Sequence, residues 1–334
     1  MQPPLTAPFR IGNVEIANRV LLAPLAGIGN WFVRLQARRH GAGLAVSEMV
    51  SSFALHYRNE RTLRELLRLH PDEHPVSVQL FGQDPEVMRS AAAIVAEAGA
   101  DLIDINMGCP VKKVCKTGSG AALLSDHDLA VRLGVAAREG GGLPVTVKLR
   151  SGLKPGGREG FDLALRLAED AGAAAIGFHP RSAATQHKGV PDYALARDLA
   201  GRLAVPMIIS GGLDSAAAAR QAYAESGADA VMIARGSLGN PWIFEELTGE
   251  RPAAPERGAV VTELLWVMAR AEEHLGADRA ARYLRKFYPW YLERLGADKE
   301  TTAAFQASGD LGDARDLVSE LSGSAPVAGV TLIA

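Results

Sequence analysis

The chain has 334 residues, of which 48% are hydrophobic and 22% charged, a composition typical of globular proteins rather than of disordered or membrane-spanning chains. Its 36 basic and 38 acidic residues give a formal net charge of -2, so a nucleic-acid partner would need a local basic patch. Two cysteines, Cys109 and Cys115, are too few for a disulfide scaffold and, without a histidine cluster beside them, make a poor zinc site, so we expect no metal.

The sequence shows no sign of membrane insertion or secretion. No uninterrupted apolar run approaches the roughly 20 residues that a membrane helix requires. The segment Met1–Pro4 leads into no apolar signal region. We therefore expect a cytoplasmic protein.

Apolar segments of strand length alternate with helical patterns along the first two thirds of the chain. The predicted strands are Val20–Ala23, Leu44–Ser47, Val76–Phe81, Leu102–Asn106, Val145–Leu149, Ala175–His179, Met207–Ser210 and Ala230–Ala234. Helical patterns rich in Ala and Leu lie between them, for example Pro85–Ala98 and Ser215–Ser226. Continuous apolar strands are buried on both faces, as in a parallel sheet. Eight such units of about 30 residues predict an α/β fold, a closed (β/α)8 TIM barrel, rather than an open sheet.

The regions flanking the barrel pattern differ from it. Two short alternating segments joined by Gly12-Asn13 predict a hairpin that closes the lower end of the barrel. We expect a catalytic domain over residues 1–245, a proline-rich linker over 246–257, a helical domain over 258–322 and a poorly ordered tail over 323–334. In the helical domain, Tyr283, Phe287 and Tyr291 recur at every fourth residue, which is typical of an aromatic core stripe.

In a barrel of this type the chemistry lies at the carboxyl ends of the strands, and nearly every predicted strand ends in polar residues or glycine. These are Pro24 to Gly27, Glu48, Gln79, Asn106 with Cys109, Lys148 with Arg150, His179 with Arg181, Ser210 to Gly212, and Ala234 to Gly236. Any one of them could be a satisfied structural group, but their shared position predicts a site. The glycines after the last two strands, with Arg235, predict a bound phosphate.

The loop Asn106-Met107-Gly108-Cys109-Pro110 directly follows an apolar strand. Considered alone, it has two interpretations. Gly108 and Pro110 can simply form a turn around a buried Cys109, as with most free cysteines. Alternatively, a thiol on a loop leaving the sheet takes part in chemistry.

Taken together, these motifs resemble the tRNA-dihydrouridine synthases. The resemblance spans almost the whole chain and rests on Ala23 to Gly27, Val78 to Gly82, Asn106 to Pro110, Lys148 to Arg150, His179 to Arg181 and Ala234 to Gly236. In the helical domain, Arg285-Lys286-Phe287-Tyr288-Pro289-Trp290-Tyr291-Leu292 is similar to a segment of the bacterial B-type branch. Agreement in motif order and in both domains makes the resemblance specific.

The resemblance implies an activity. Enzymes of this family bind FMN tightly, reduce it with NADPH, and convert uridines in tRNA to 5,6-dihydrouridine by passing hydride from the flavin to C6. The cysteine of Gly-Cys-Pro, here Cys109, would donate the proton to C5, and Cys115 is the rival thiol. A thiol suits this role because it is mostly protonated at neutral pH. No dinucleotide fingerprint is present, so NADPH would bind only transiently.

The resemblance also implies the cofactor contacts. Backbone contacts would come from Pro24, Leu25 and Ala26, while Gln79 and Asn106 would face the ring or the substrate. Lys148 would lie near the pyrimidine end of the flavin, where a cation stabilises the reduced anion. The phosphate would be held by His179, Ser210, Gly211, Gly212, Ala234 and Arg235. The sequence departs from the common family pattern at Ser210-Gly211-Gly212, where Asn-Gly-Asp is usual, and at His187, where a tyrosine is usual.

Local clusters of basic residues would have to bind the RNA. Lys112, Lys113 and Lys116 follow Cys109, Arg181 would lie at the mouth together with Arg150 and Arg158, and Arg279, Arg282, Arg285 and Lys286 belong to the helical domain. The expected partner is therefore tRNA, with no membrane partner and no obligate protein partner, and we expect a monomer.

Three alternatives remain open at this point. The first is a small-molecule FMN oxidoreductase of the dihydroorotate dehydrogenase or ene-reductase type. The second is a flavin-free lyase or isomerase acting on a sugar phosphate. The third is a non-catalytic RNA-binding module.

Overall fold

The structure, a computed structural model, describes residues 2–249 and 254–321. Its described residues divide into two compact units, one of residues 2–237 with 243–249 and one of residues 238–242 with 254–321. The predicted tail over 323–334 lies outside the described residues, and the domain limits drawn from the sequence stay a prediction. Within the described ranges, no helix is both long enough and apolar enough to cross a membrane.

The first unit contains a closed barrel of eight parallel strands. Its strands are β3 (Val20–Leu22), β4 (Leu44–Val46), β6 (Val76–Phe81), β7 (Leu102–Met107), β8 (Val145–Arg150), β9 (Ala175–His179), β10 (Met207–Ser210) and β11 (Ala230–Ile233). Each strand pairs in parallel with the next, and β11 pairs with β3, which closes the sheet. The predicted TIM barrel is confirmed, and no predicted strand limit is wrong by more than one residue.

Helices connect the strands and cover the outside of the barrel, as the alternating pattern predicts. They are α1 (Trp31–Arg39), α2 (Ser52–His56), α3 (Pro85–Glu97), α4 (Lys112–Cys115), α5 (His127–Gly141), α6 (Glu159–Glu169), α7 (Tyr193–Ala200), α8 (Ala216–Ser226) and α9 (Ile243–Thr248). Local sequence fixes several starts. The Asp84 carboxylate accepts the amides of Glu86 and Val87, and Pro85 occupies the first turn, where its missing N–H costs nothing.

The predicted hairpin is present as β1 (Phe9–Ile11) and β2 (Val14–Ile16), paired antiparallel. Its apolar residues Phe9, Ile11 and Ile16 share one buried cluster with Leu44 and Leu102, which are the first residues of β4 and β7. The hairpin therefore closes the amino-terminal end of the barrel, as expected, and leaves the carboxyl ends of the strands for the site.

The structure contains one short strand that the sequence did not predict. β5 (Val50–Ser51) pairs in parallel with Leu80 and Phe81 at the carboxyl end of β6. Two residues are too few to show the alternation on which strand prediction depends. The pairing holds the segment after β4 against the rim of the barrel.

The second unit is helical, as predicted. It contains α10 (Arg257–Leu275), α11 (Ala277–Leu284), α12 (Tyr288–Arg294), α13 (Lys299–Ala307) and α14 (Leu311–Leu321). The aromatic repeat spans two helices rather than one, because the first helix ends before Pro289. This proline lies in the first turn of α12 and could not continue a preceding helix. Phe287 and Tyr291 are buried, so the aromatic stripe contributes to the core of this unit.

Candidate active site

A cavity of about 400 Å³ opens at the carboxyl ends of the barrel strands, within the range of small-molecule sites. Its lining includes every residue that the sequence assigned to cofactor or catalysis: Pro24, Leu25, Ala26, Gln79, Asn106, Cys109, Lys148, His179, Ser210, Gly211, Gly212, Ala234 and Arg235. Their roles stay predictions, but they do surround one space. Met49, Gln186 and Asp214 also line it and were not singled out from the sequence.

The Cys109 loop is held by the side chain of Asn106. The Asn106 Oδ1 atom accepts the backbone N–H of Gly108 at 3.2 Å and that of Cys109 at 2.9 Å. Glycine suits position 108, because a Cβ atom there would approach the carbonyl carbon of Leu149 to 3.2 Å, which is a tight contact. The loop therefore runs close against β8, with the Cys109 side chain at the cavity.

The two cysteines have different environments. Cys109 lines the cavity and is half-buried. Cys115, at the end of α4, is not part of the lining, and its Sγ donates to the backbone carbonyl of Cys109 at 3.3 Å. Geometry therefore favours Cys109 as the reactive thiol and gives Cys115 a part in holding the loop.

The environment of Cys109 keeps its thiol protonated. Burial raises the pKa of the Cys109 thiol above its ordinary value, and this outweighs the backbone hydrogen bond at Val111, which lowers it. An activated nucleophilic cysteine needs the opposite shift. The thiol is thus suited to donating a proton at neutral pH.

A row of buried polar side chains crosses three strands beneath this loop. Gln79, Asp104 and Thr146 are register partners on β6, β7 and β8. Gln79 Nε2 donates to Asp104 Oδ2 at 2.6 Å, and Thr146 Oγ1 donates to Asp104 Oδ1 at 2.5 Å. Asn106 Nδ2 donates to Gln79 Oε1 at 2.9 Å, which joins the row to the Cys109 loop.

Asp104 and Thr146 were missed from the sequence. The signal was present, because side chains two apart on a strand share a face. Asp104 therefore shares the interior face of β7 with Asn106, and Thr146 that of β8 with Lys148. Burial raises the pKa of Asp104 to about 6, against the hydrogen bonds from Gln79 and Thr146.

Positive charge is concentrated at the cavity. Lys148, Arg150, Arg181 and Arg235 line it, and Asp214 is the one acidic side chain among the lining residues. Burial, followed by repulsion from Lys148, Arg150 and Arg181, depresses the pKa of His179 so far that its imidazole is neutral. A cavity with this charge balance is suited to an anionic ligand.

Lys148 Nζ donates to Ser210 Oγ at 3.0 Å, so the serine that departs from the common family pattern binds the cavity lysine directly. The two following residues, Gly211 and Gly212, have φ angles of +95° and +78°. A Cβ atom on Gly211 would overlap the His179 imidazole. The turn therefore presents bare backbone to the cavity, as phosphate-binding turns do.

Two arginines that were expected at the mouth of the barrel are buried and bind backbone carbonyl groups. Arg150 is 3% exposed, and it donates from Nε to the carbonyl of Gly108 at 3.0 Å and from Nη1 to the carbonyl of Gln186. Arg181 is 8% exposed and donates from Nε and Nη2 to the carbonyl of Gly189. Both therefore fix loops around the cavity rather than presenting free guanidinium groups outward.

The remaining RNA candidates are distributed over both units. Lys112, Lys113 and Lys116 are exposed on and just after α4, close in sequence to Cys109. In the helical unit Arg282 and Lys286 are exposed, while Arg279 is half-buried. Arg285 is also half-buried, and its Nη2 donates to the carbonyl of Ser308 at 3.1 Å, which gives this side chain a structural role within its own unit.

Comparison with known proteins gives a consistent result. The family model described as Dihydrouridine synthase (Dus) matches residues 21–322. A tRNA-dihydrouridine synthase B of Pseudomonas aeruginosa is 39% identical over 306 residues, which cover 89% of this chain and 90% of that protein. A protein of the same name from Xanthomonas axonopodis pv. citri is 38% identical over 305 residues, covering 90% of each chain. Among solved structures, morphinone reductase resembles the fold with a TM-score of 0.56 at 17% identity, over 77% of this chain and 92% of that one.

The protonation state of Cys109 can be measured directly, because the chain has only two cysteines. In a Cys115→Ala variant, alkylation by iodoacetamide reports on Cys109 alone. Since burial raises the pKa of this thiol, the thiolate should form, and alkylation accelerate, only at a higher pH than for a free cysteine peptide. A midpoint below that of the peptide would contradict the assignment and indicate an activated nucleophile.

Proposed function

Because this chain belongs to the dihydrouridine synthase family, we propose that it reduces uridines in tRNA to 5,6-dihydrouridine, with FMN as the bound flavin and NADPH as the reductant. One observation carries the proposal. A thiol kept protonated by burial faces a cationic cavity at the carboxyl ends of a TIM barrel. The family gives the reaction class, and the cavity supplies a proton donor and a place for an anionic cofactor.

The residues present fit FMN. Gly211 and Gly212 form a turn without side chains, and Arg235 is exposed at the same cavity, so this corner suits the phosphate group. Pro24, Leu25 and Ala26 follow β3 and offer backbone contacts to the ring system. Lys148 would stabilise negative charge on the reduced ring, while Gln79 and Asn106 would hold ring or substrate.

When bound and reduced by NADPH, FMN would supply the hydride for C6 of the uracil. Cys109 would supply the proton for C5. Asn106 supports this step by holding the backbone N–H of Cys109, and Arg150 by holding the carbonyl of Gly108. His179, kept neutral by burial and by neighbouring cations, can accept a hydrogen bond without adding further charge.

The substrate must bring one base out of its stack to reach a cavity inside a barrel mouth. Folded RNA loops make this extrusion less costly than a regular duplex does. The exposed lysines 112, 113 and 116 would bind phosphates near the extruded base. Arg279, Arg282 and Lys286 would bind phosphates from the helical unit. With such a substrate, we place the protein in the cytoplasm, acting as a monomer.

The reaction is tested by incubating the purified protein with an unmodified tRNA transcript and NADPH. Cys109→Ala should keep its flavin but lose at least about 100-fold in dihydrouridine formation, since general-acid catalysis contributes about that much or more. Mass spectrometry of the digested RNA detects the gain of two hydrogen atoms. Cys115→Ala is the matched control and should retain most of its turnover. Equal turnover in both variants would contradict the assignment of Cys109.

Failure of the wild-type protein to modify any transcript, together with NADPH-dependent reduction of a small α,β-unsaturated ketone, would instead favour the small-molecule oxidoreductase. A purified protein without flavin absorbance would point to the flavin-free barrel enzymes. Tight RNA binding without either activity would leave the non-catalytic module.

The affinity for FMN should depend on pH through Lys148. Burial lowers the pKa of this ammonium to about 8 in the cofactor-free protein, so it is protonated below that pH. An anionic ligand binds the protonated form better, and the affinity should therefore fall as the pH rises through about 8. The phosphate, whose second pKa is about 6, gains negative charge as the pH rises and therefore cannot cause the fall. Fluorescence titration from pH 7 to about 9 measures the effect.

The matched control for that titration is Lys148→Met, which should bind FMN more weakly at pH 7 and show a nearly flat profile. A wild-type profile as flat as that of the variant would remove Lys148 from the cofactor site.

RNA binding should be salt-dependent through the lysines after Cys109. Replacing Lys112, Lys113 and Lys116 by alanine should reduce the slope of log affinity against log salt by roughly 0.7 to 0.9 for each phosphate that the variant no longer neutralises. Filter binding at several salt concentrations measures the slope. Arg132→Ala, an exposed site on the outer helix α5, should leave it unchanged. An unchanged slope in the triple variant would exclude these lysines from the RNA interface.

A further inference from the structure

Asp104 is a buried acid without an ion pair. Its side chain accepts only the hydrogen bonds from Gln79 and Thr146 and makes no salt bridge within the described ranges, while the charge of Lys148 lowers its pKa less than either hydrogen bond does. The residue is 3% exposed. Burying a carboxylate that makes no salt bridge is costly, and the charge of Lys148 offsets only part of that cost, because burial still raises the pKa of Asp104. A neutral side chain of the same size would avoid the cost, so the carboxylate should have a role here that a neutral amide could not fill.

What distinguishes a carboxylate is that it can only accept hydrogen bonds. Gln79 must consequently turn its Nε2 toward Asp104, which leaves its Oε1 facing Asn106. Asn106 must then donate from Nδ2 to that oxygen, so its own Oδ1 faces the Cys109 loop. The Asp104 carboxylate, at one end of this series of hydrogen bonds, thus sets the orientation of two amide side chains.

The other end of this series of hydrogen bonds, at the Cys109 loop, requires the same orientation of the amides. The backbone N–H groups of Gly108 and Cys109 can only donate, and they need the oxygen of Asn106 rather than its nitrogen. All the hydrogen bonds therefore run in one direction, from the Cys109 loop through Asn106 and Gln79 to Asp104. Bonds aligned in this way polarise one another and hold the loop more firmly than isolated bonds would.

We propose that Asp104 is a positioning residue, whose carboxylate fixes the amide orientations of Gln79 and Asn106 and so holds the backbone of Cys109 in place for proton transfer. The proposal rests on the proposed function, in which Cys109 is the proton donor. Asp104 does not touch the reacting atoms, and its effect reaches them only through Gln79 and Asn106.

Replacing Asp104 by asparagine should remove the constraint on the direction of these hydrogen bonds while keeping the side-chain packing. An amide at position 104 can turn either its oxygen or its nitrogen toward Gln79, and the Thr146 hydroxyl can adapt to both because it donates and accepts. In the reversed orientation Asn106 presents its NH2 group to the N–H groups of the loop, and those bonds cannot form. Removal of a buried charge should at the same time leave global stability unchanged or higher.

The test is hydrogen–deuterium exchange on the purified protein, followed by mass spectrometry of peptides that contain Gly108 and Cys109. In Asp104→Asn these two amides should exchange about tenfold faster, because each loses a hydrogen bond for part of the time. Turnover on a tRNA transcript should fall by about tenfold in kcat, with the KM for RNA within about twofold of wild type. The urea midpoint should not decrease.

Thr146→Val is the matched control. It removes the other hydrogen bond to Asp104 but keeps every hydrogen bond between Asp104 and the Cys109 loop. This variant should lose stability, because Asp104 is left with one donor, while the Gly108 and Cys109 amides exchange at the wild-type rate. A purely structural role for Asp104 predicts the reverse, with both variants losing stability and neither affecting the loop selectively.

Wild-type exchange at Gly108 and Cys109 in Asp104→Asn would overturn the proposal. If that variant does not fold, Gln79→Met removes the hydrogen bonds that link Asp104 to Asn106 while leaving the bond between Asp104 and Thr146. Faster exchange at Cys109 in this second variant supports the role of Asp104, and unchanged exchange overturns it. If the wild-type protein forms no dihydrouridine, the proposed function fails, whereas the exchange result still decides whether Asp104 positions the loop.

Discussion

The two-residue repeat of the barrel strands determines which side chains can enter the site. Because the sheet is closed, alternate residues of every strand point to the interior, and the parallel direction brings all the carboxyl ends to one end of the barrel. Gln79, Asp104 and Thr146 face one another across three strands for this reason alone. Lys148 and Asn106 follow two residues later on the same faces. The buried polar side chains beneath the Cys109 loop are thus carried on strands, which fixes their geometry.

Burial is the common physical cause of the unusual protonation states at this end of the barrel. It raises the pKa of Cys109 and of Asp104, and it lowers that of Lys148 and His179. The same cause has different chemical consequences for each group. The thiol remains protonated and the imidazole remains neutral, while the ammonium of Lys148, with a pKa of about 8, becomes sensitive to pH near that value.

Strands with continuous apolar sequence were predictable to within one residue, because burial on both faces leaves a strong pattern. The two-residue strand β5 was not, since two residues are too few to show a hydrophobic period. The helix break at Pro289 was marked only by the proline itself, because the aromatic repeat continues across it. Side-chain direction was the harder part. Arg150 and Arg181 looked like mouth residues by sequence position, yet their guanidinium groups turn toward the carbonyls of Gly108, Gln186 and Gly189. Such interactions depend on loop paths that no local pattern encodes.

In the proposed function, the cations at the cavity couple cofactor binding to the stability of the fold. Besides burial, the charge of Arg150 lowers the pKa of Lys148 and the charge of Arg181 lowers that of Arg150, so in the cofactor-free protein these cations repel one another. Arg150 and Arg181 cannot simply move apart, because they anchor the loops that frame the cavity. An anion bound among them removes this repulsion, and a ligand that binds only the folded state stabilises it in proportion to its affinity. In the proposed function, an anionic cofactor bound among these cations would therefore also help to hold the loops around the cavity in place.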